Sequence, residues 1–336
     1  MLPPPSRWCL ALVAVLASSA CAAAPATPTV PRAAQVVVAG AAHNDTSTPF
    51  NLSSLPALTE HEYDGRDFRV EHVVGRELAS TRHHISYRSG DLRITGQLSV
   101  PRRPGQFPLV VLAHGYENPA TYRSGVALRR EQSYLASIGY VVLLTDYRSH
   151  GGSDEDDSDP VAEPLGYAED VVNAIVAIRG AGLHYVDTSR VAMLGRSMGG
   201  GVALNAVVAR PGLVDALVLY SSVSSSAADN YERWVVGRGD LDERVLAVYG
   251  APEANPGFWG EVSARNYLRR VDVPVQVHHG TADAVCPLDW SRETVDALEW
   301  AGQTVEYHEY PGEGHRFDGA WPRMARRIAR FLDENV

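Results

Sequence analysis

The segment VAMLGRSMGG, residues 191–200, decides the fold. Its first four residues are continuously apolar, which is typical of a strand buried on both faces of a sheet. A Gly-x-Ser-x-Gly turn follows, and residues 198–209 have the pattern of a helix. A strand, a tight turn and a helix in this order hold a serine at a strained elbow that exposes its hydroxyl. We therefore predict that Ser197 is a nucleophile; the alternative is a glycine-rich helix start with an incidental serine.

Short β-branched segments alternate with longer helical ones from about residue 61 onward. Strands that are separated by crossover helices form a largely parallel sheet. The pattern therefore predicts an α/β fold, with a mostly parallel central sheet and helices on both faces. The predicted strands are 92–100, 109–113, 141–145, 191–194, 216–220, 273–278 and 305–310, and the predicted helices are 166–179, 198–209, 291–301 and 322–332.

A serine nucleophile needs a base, and histidine is the usual one because an imidazole titrates near neutral pH. Among the 12 histidines, His315 lies in a glycine-flanked loop between the last predicted strand and the C-terminal helix. The acid that orients this base comes between serine and histidine in the chain. Asp283 satisfies this order and directly follows a predicted strand. Asp272 and Asp289 are alternatives, but the first precedes that strand and the second is placed to cap a helix.

Acyl transfer produces a negatively charged oxygen that two donors have to stabilise. The N–H of Met198 is the first donor by its position after the nucleophile. The second is expected in a loop after an earlier strand, and residues 109–116 supply such a loop. We choose Tyr116, through its N–H or its hydroxyl; alternatively, Gly115 is only a turn residue.

Residues 221–270 separate two predicted strands and are too many for a plain connection. An insertion at this place is predicted to form a cap over the carboxyl edge of the sheet. Its aromatic side chains either line an apolar substrate pocket or form the core of the cap itself. We assign Trp234 and Trp259 to the pocket on the first of these interpretations.

The composition excludes several classes of function. A net charge of -10 argues against a nucleic-acid partner, because phosphate binding requires a basic surface. All 30 basic side chains are arginines, which excludes the lysine of a P-loop, of a Schiff base and of a Ser-Lys dyad. The three cysteines form no zinc-type cluster, and Cys286 is predicted to be a packing residue. The acidic run 154–159 lacks the pattern of a calcium loop, so we expect no metal and no organic cofactor.

Residues 1–24 have the layout of a signal peptide, with one basic residue, a short apolar run and then small residues. The apolar run is too short for an ordinary membrane anchor. Ala20-Cys21 is similar to the end of a bacterial lipoprotein signal, so lipidation of Cys21 and ordinary cleavage are both open. Residues 25–60 are rich in Pro, Ala, Ser and Thr and are predicted to be a linker. The protein is thus expected to be exported, as a secreted, periplasmic or lipid-anchored protein, with residues 61–336 as its catalytic domain.

Four motifs agree with one known family. They are His-Gly at 114–115, Gly-Arg-Ser-Met-Gly-Gly at 195–200, His-Gly-Thr-Ala-Asp at 279–283 and Tyr-Pro-Gly-Glu-Gly-His at 310–315. In these motifs the chain resembles the catalytic domain of prolyl-oligopeptidase-like serine peptidases, family S9 of the α/β-hydrolase superfamily, over roughly residues 90–336. The resemblance implies the α/β-hydrolase fold, with Ser197 as nucleophile, Asp283 as acid and His315 as base.

The sequence departs from this family in two ways. Many members carry a β-propeller before the catalytic domain, and residues 25–90 are too few to form one. The family's common His-Gly-Gly-Pro loop is His-Gly-Tyr-Glu here, at residues 114–117. We predict a serine hydrolase that acts on a small ester or peptide. An esterase similar to carboxylesterases or dienelactone hydrolases is an alternative, and a non-catalytic surface binding protein on the same fold is a rival that the intact triad argues against.

Overall fold

The computed structural model describes residues 54–156 and 163–336. The predicted signal peptide and the predicted linker up to residue 53 lie outside these ranges, so export and a lipid on Cys21 stay predictions. The acidic run 154–159 is described only as far as Asp156. Among the helices of the described ranges, none combines the length and the apolar character needed to cross a membrane.

A central sheet contains all the strands that the described residues form. In chain order they are β1 (Arg66–Arg76), β2 (Ser80–Ser89), β3 (Leu92–Pro101), β4 (Phe107–Ala113), β5 (Val141–Thr145), β6 (Val186–Arg196), β7 (Ala216–Tyr220), β8 (Val275–Gly280) and β9 (Val305–Tyr310). Across the sheet their order is β1-β2-β3-β5-β4-β6-β7-β8-β9. The pairs among β4 to β9 are parallel, whereas β1, β2 and β3 join the sheet in antiparallel pairs. The predicted α/β-hydrolase fold is confirmed.

Helices cover both faces of this sheet. They are α1 (Leu55–Glu60), α2 (Arg129–Ile138), α3 (Glu163–Gly180), α4 (Met198–Ala209), α5 (Ala227–Trp234), α6 (Asp240–Tyr249), α7 (Pro256–Glu261), a 3-10 helix (Ala264–Arg270), α8 (Leu288–Trp300) and α9 (Trp321–Asn335). Successive side chains of a strand point to opposite faces. Accordingly, Leu109 and Val111 of β4 pack in one apolar core with α3 and α4, whereas Val110 and Leu112 pack in a second core with α2 and α9.

The amino-terminal boundary of this domain differs from the prediction. The linker was expected to extend to residue 60, but its last residues form α1. Ser54 caps this helix, because its hydroxyl accepts a hydrogen bond from the N–H of Ala57 at 3.2 Å. Leu55 and Leu58 are completely buried in the core. The prediction was wrong for this segment, because two leucines spaced three residues apart are enough to pack one helical turn against the domain.

Candidate active site

Ser197 lies at the turn between β6 and α4, so the predicted sequence of strand, turn and helix is observed. Its backbone has φ 57° and ψ -126°, a conformation that is costly for a residue with a side chain. Hydrogen bonds hold the turn in place: the Ser197 N–H donates to the Tyr220 carbonyl at 3.2 Å, and the Val223 N–H donates to the Ser197 carbonyl at 3.1 Å. The neighbouring strand β7 therefore fixes the elbow at the carboxyl edge of the parallel strands.

The glycines of the elbow are required by close backbone contacts. A Cβ atom on Gly195 would lie 2.3 Å from the carbonyl oxygen of Gly199. A Cβ atom on Gly199 would lie 2.0 Å from the carbonyl oxygen of Ala113 in β4. Both obstacles are backbone atoms, which cannot rotate away as the end of a side chain can. Helix α4 can therefore approach the sheet, and Ser197 can reach its position, only because these residues have no side chain.

Gly199→Ala is expected to lower the free energy of unfolding by about 2 kcal/mol or more, because its Cβ would overlap the β4 backbone. Chemical denaturation of the wild type and the variant measures this difference. Gly180→Ala is the matched control, since a Cβ at the end of α3 meets no atom within 4 Å. A Gly199→Ala protein as stable as the wild type would contradict the tight packing of the elbow.

The predicted acid and base are in direct contact. Asp283 follows β8 and His315 follows β9, the adjacent strand of the sheet. His315 Nδ1 lies 2.8 Å from Asp283 Oδ2, while Asp283 Oδ1 accepts hydrogen bonds from the N–H groups of Val285 at 2.8 Å and Cys286 at 3.0 Å. The Asp283 side chain is fully buried, whereas that of His315 is 17% exposed. The carboxylate thus holds the imidazole through Nδ1 and leaves Nε2 for proton transfer.

A second histidine supports the acid. Burial by itself raises the pKa of the Asp283 carboxyl, but hydrogen bonds from His279 and His315 outweigh burial and hold this pKa well below its usual range. His279 is fully buried, with Nε2 3.4 Å from Asp283 Oδ2 and Nδ1 2.5 Å from the Ser291 hydroxyl. His279 was not predicted to belong to the site. Its place in the motif at 279–283, four residues before the acid, was the available signal.

Ser197 contacts the loop that carries Asp283 through the side chain of Cys286. Burial and the Asp283 charge raise the pKa of the buried Cys286 thiol to about 12, and the adjacent Ser197 hydroxyl acts in the opposite direction. Cys286 therefore packs between the acid loop and the nucleophile as a protonated thiol. Within residues 54–156 and 163–336, no hydrogen bond joins Ser197 to His315. The structure thus pairs Asp283 with His315 directly, and Ser197 contacts the acid loop through Cys286.

The loop after β4 lies against the nucleophile. A Cβ atom on Gly115 would be 3.0 Å from Ser197 Cβ and 3.5 Å from Ser197 Oγ. The next residue, Tyr116, has a side chain that is 71% exposed. Of the two alternatives for Tyr116, the structure therefore favours the backbone N–H, which adjoins Gly115. The Met198 N–H, the other predicted donor, lies at the beginning of α4, directly after Ser197.

His114 fixes the orientation of this loop. Its ring is fully buried and stacks on Tyr147 and Tyr122, and burial lowers its pKa to about 4. The neutral ring therefore donates through Nδ1 to the Gly115 carbonyl at 2.7 Å. In a trans peptide the C=O and the following N–H point in opposite directions. Holding the Gly115 carbonyl thus also sets the direction of the Tyr116 N–H.

The regular elements of the insertion between β7 and β8 are all helices, namely α5, α6, α7 and the 3-10 helix. Arg233 of α5 donates hydrogen bonds to the carbonyls of Ala284 at 2.8 Å and Val285 at 3.3 Å, which lie in the acid loop. The insertion therefore contacts the carboxyl edge of the sheet beside the site. Trp259 is only 5% exposed and packs on Tyr231. For Trp259 the structure therefore favours the interpretation in which the aromatic side chains form the core of the cap. Trp234 lies outside this core and stays a predicted pocket residue.

The chain is similar in sequence to several known proteins. The sequence model of the prolyl oligopeptidase family, Peptidase_S9, matches residues 126–336. An acylamino-acid-releasing enzyme of Arabidopsis thaliana is 27% identical over 221 residues, which are 63% of this chain and 28% of that enzyme. The chain therefore spans well under half of that relative's length. An uncharacterized protein of Mycobacterium tuberculosis is 30% identical over 295 residues, covering 86% of this chain and 84% of that protein.

A solved structure shows the same fold. The acetyl xylan esterase from Paenibacillus sp. R4 aligns with a TM-score of 0.64 over 84% of this chain and 92% of that one. The sequence identity between the two is 19%, so this likeness concerns the fold alone.

Proposed function

The chain belongs to the prolyl oligopeptidase family of serine hydrolases, and from this we propose that it cleaves esters or amides through Ser197, His315 and Asp283. One observation carries the proposal. The buried Asp283 carboxylate holds His315 Nδ1 at 2.8 Å, at the same edge of the sheet as the strained elbow of Ser197. A buried acid, a histidine base held by it and a serine at a strained elbow are the parts that activate a serine hydroxyl.

The reaction follows from these positions. His315 Nε2 removes the proton of the Ser197 hydroxyl as Oγ forms a bond to the substrate carbonyl carbon. The tetrahedral intermediate collapses, the alcohol or amine leaves with the proton from His315, and an acyl-enzyme remains. Water then attacks the acyl-enzyme with His315 again as base, which releases the acid and restores the hydroxyl. Asp283 stays ionised throughout and stabilises the imidazolium.

Two backbone donors are proposed to stabilise the oxyanion. Met198 is the first residue of α4, so its N–H lies at the positive end of the helix dipole. The dipole therefore adds to the stabilisation of the oxyanion. The Tyr116 N–H belongs to the peptide that His114 holds through the Gly115 carbonyl. Preorganised donors of this kind do not have to reorient when the negative charge develops.

Small esters are proposed to be the better substrates. The alcohol of an activated ester leaves without the protonation that an amine needs from the imidazole. Short-chain nitrophenyl esters should therefore be hydrolysed faster than aminoacyl or peptidyl nitroanilides, whichever class is the natural substrate. A fluorophosphonate probe separates the enzyme from a non-catalytic binding protein. An unlabelled, folded wild-type protein would contradict the proposed function.

Trp234→Ala is expected to lower kcat/KM for octanoyl nitrophenyl ester by about tenfold and to leave the acetyl ester within about twofold, because a pocket wall contacts only the longer chain. Trp300→Ala is the matched control, since Trp300 is 79% exposed on α8. Trp259→Ala should instead lower stability, by about 3 kcal/mol or more, because it removes a large side chain from the core of the cap. An equal change on every ester would remove Trp234 from the pocket.

A further inference from the structure

A β-bulge in β1 places two consecutive side chains on one face. Val70 pairs with Ile85 and Val73 pairs with His83, so three steps along β1 correspond to two steps along β2. Two residues of β1, Glu71 and His72, therefore lie opposite one residue of β2. In a regular strand these neighbours would point to opposite faces of the sheet. The bulge removes this alternation and turns both side chains towards the residue between the two pairs, His84.

The three side chains are in contact. Glu71 Oε2 lies 2.8 Å from His84 Nδ1, and the rings of His72 and His84 stack with their centres 5.1 Å apart. One ligand atom from each residue can be chosen so that all three lie within 4.8 Å of one another. The Glu71 and His72 residues are exposed, so water and ions can reach the group.

The carboxylate is oriented by two further residues. The Ser86 hydroxyl donates to Glu71 Oε1 at 2.7 Å, and the Arg93 guanidinium donates to the same oxygen at 2.9 Å. These two hydrogen bonds occupy Oε1, and Oε2 faces the histidines. Polar partners behind a ligand group orient it in the same way in known metal sites.

We propose that Glu71, His72 and His84 form a surface site for a zinc-like divalent cation. Two imidazoles and one carboxylate are a ligand set that Zn²⁺ prefers, with water in the remaining position, whereas Mg²⁺ and Ca²⁺ prefer oxygen ligands. Zinc bonds of about 2.0–2.2 Å place neighbouring ligand atoms about 3.3 Å apart. Rotation of the exposed His72 side chain can bring its ligand nitrogen to this distance from the other ligand atoms. The site lies on β1 and β2 at one edge of the sheet. Three strands separate β2 from β6, the strand that leads to Ser197.

Zinc titration of the metal-free full-length protein by calorimetry tests this proposal. We expect about one equivalent bound at this site and a higher melting temperature with zinc. His72→Ala and His84→Ala should each weaken this binding about tenfold or more, because each removes one of three ligands. His83→Ala is the matched control, since His83 neighbours His84 on β2 and therefore points to the opposite face.

The outcomes are distinct. Loss of binding in His72→Ala and His84→Ala with retention in His83→Ala supports the site. Absence of saturable zinc binding by the wild type overturns it, as does binding that is unchanged in His72→Ala and His84→Ala. Ester hydrolysis by the variants reports on folding, because none of these residues belongs to the catalytic machinery.

Discussion

Ser197→Ala should abolish labelling by a fluorophosphonate and lower kcat for nitrophenyl esters by about 10⁴-fold to 10⁶-fold. The reason is that no covalent acyl-enzyme can form without the hydroxyl. Alanine has no atom that requires a new position at the elbow, so the fold should be retained. The bound imidazole and the oxyanion donors would remain and leave only a small residual rate.

Mass spectrometry of the labelled protein and initial rates on nitrophenyl acetate measure this effect. Ser137→Ala is a matched control, because the exposed Ser137 hydroxyl only donates to the Tyr134 carbonyl within α2. Circular dichroism of both variants separates lost chemistry from lost structure. Labelling that persists in a folded Ser197→Ala protein would assign the nucleophile to another residue.

The central sheet could be predicted because strands buried on both faces are continuously apolar. The strands Val141–Thr145, Ala216–Tyr220 and Val305–Tyr310 and the helix Met198–Ala209 have the predicted bounds. In these segments the local pattern and the tertiary environment favour the same structure, and the turn glycines mark where each segment ends. The chain order of nucleophile, acid and base followed from the same pattern, because each lies directly after a strand.

The antiparallel edge of the sheet could not be predicted in the same way. Strands β1 and β2 were missed, because most of β1 is exposed and its many charged residues do not alternate cleanly with apolar ones. Helix α2 was missed because its sequence RREQSYLASI is largely polar. The bulge in β1 could not be predicted either. Register depends on how two distant segments pair, so the meeting of Glu71, His72 and His84 is invisible in the sequence of either strand.

In the candidate active site, too, contacts that depend on the folded structure could not be predicted. The motifs predicted Ser197, Asp283 and His315 as the reacting groups, but did not predict the residues that contact them. His279 and His114 act through contacts that form only when the loops after β8 and β4 are folded. Trp259 was assigned to the pocket from its residue type, whereas its environment is set by the packing of α5 against α7. Residue type and chain order thus select candidates for the reacting groups, whereas the groups that position them become visible only in the folded structure.

Asp283→Asn is expected to lower kcat by about 10³-fold to 10⁴-fold at neutral pH. The carboxylate accepts the Nδ1 proton of His315 and so leaves the lone pair of Nε2 for the Ser197 hydroxyl. An asparagine amide can donate to Nδ1 instead, which places the proton on Nε2, where it blocks the base. The side chains have nearly the same shape, so the geometry should be retained and the loss should appear in kcat more than in KM.

The pH of the assay decides how much the Asp283 carboxylate itself contributes to stability. Because the folded pKa of Asp283 is held below its usual range, its contribution to stability is fully present above the ordinary carboxyl pKa and is lost only as the pH falls through the lower, folded value. Between about pH 5 and pH 9 the wild type carries this contribution and Asp283→Asn lacks it, so circular dichroism at each assay pH has to show a folded variant before a lower rate reports on catalysis. Asp289→Asn is the matched control, since the Asp289 side chain is 76% exposed and pairs with Arg292 at 3.2 Å. A larger loss in Asp289→Asn, or an Asp283→Asn enzyme that keeps more than about a tenth of the activity, would show that another group orients the imidazole.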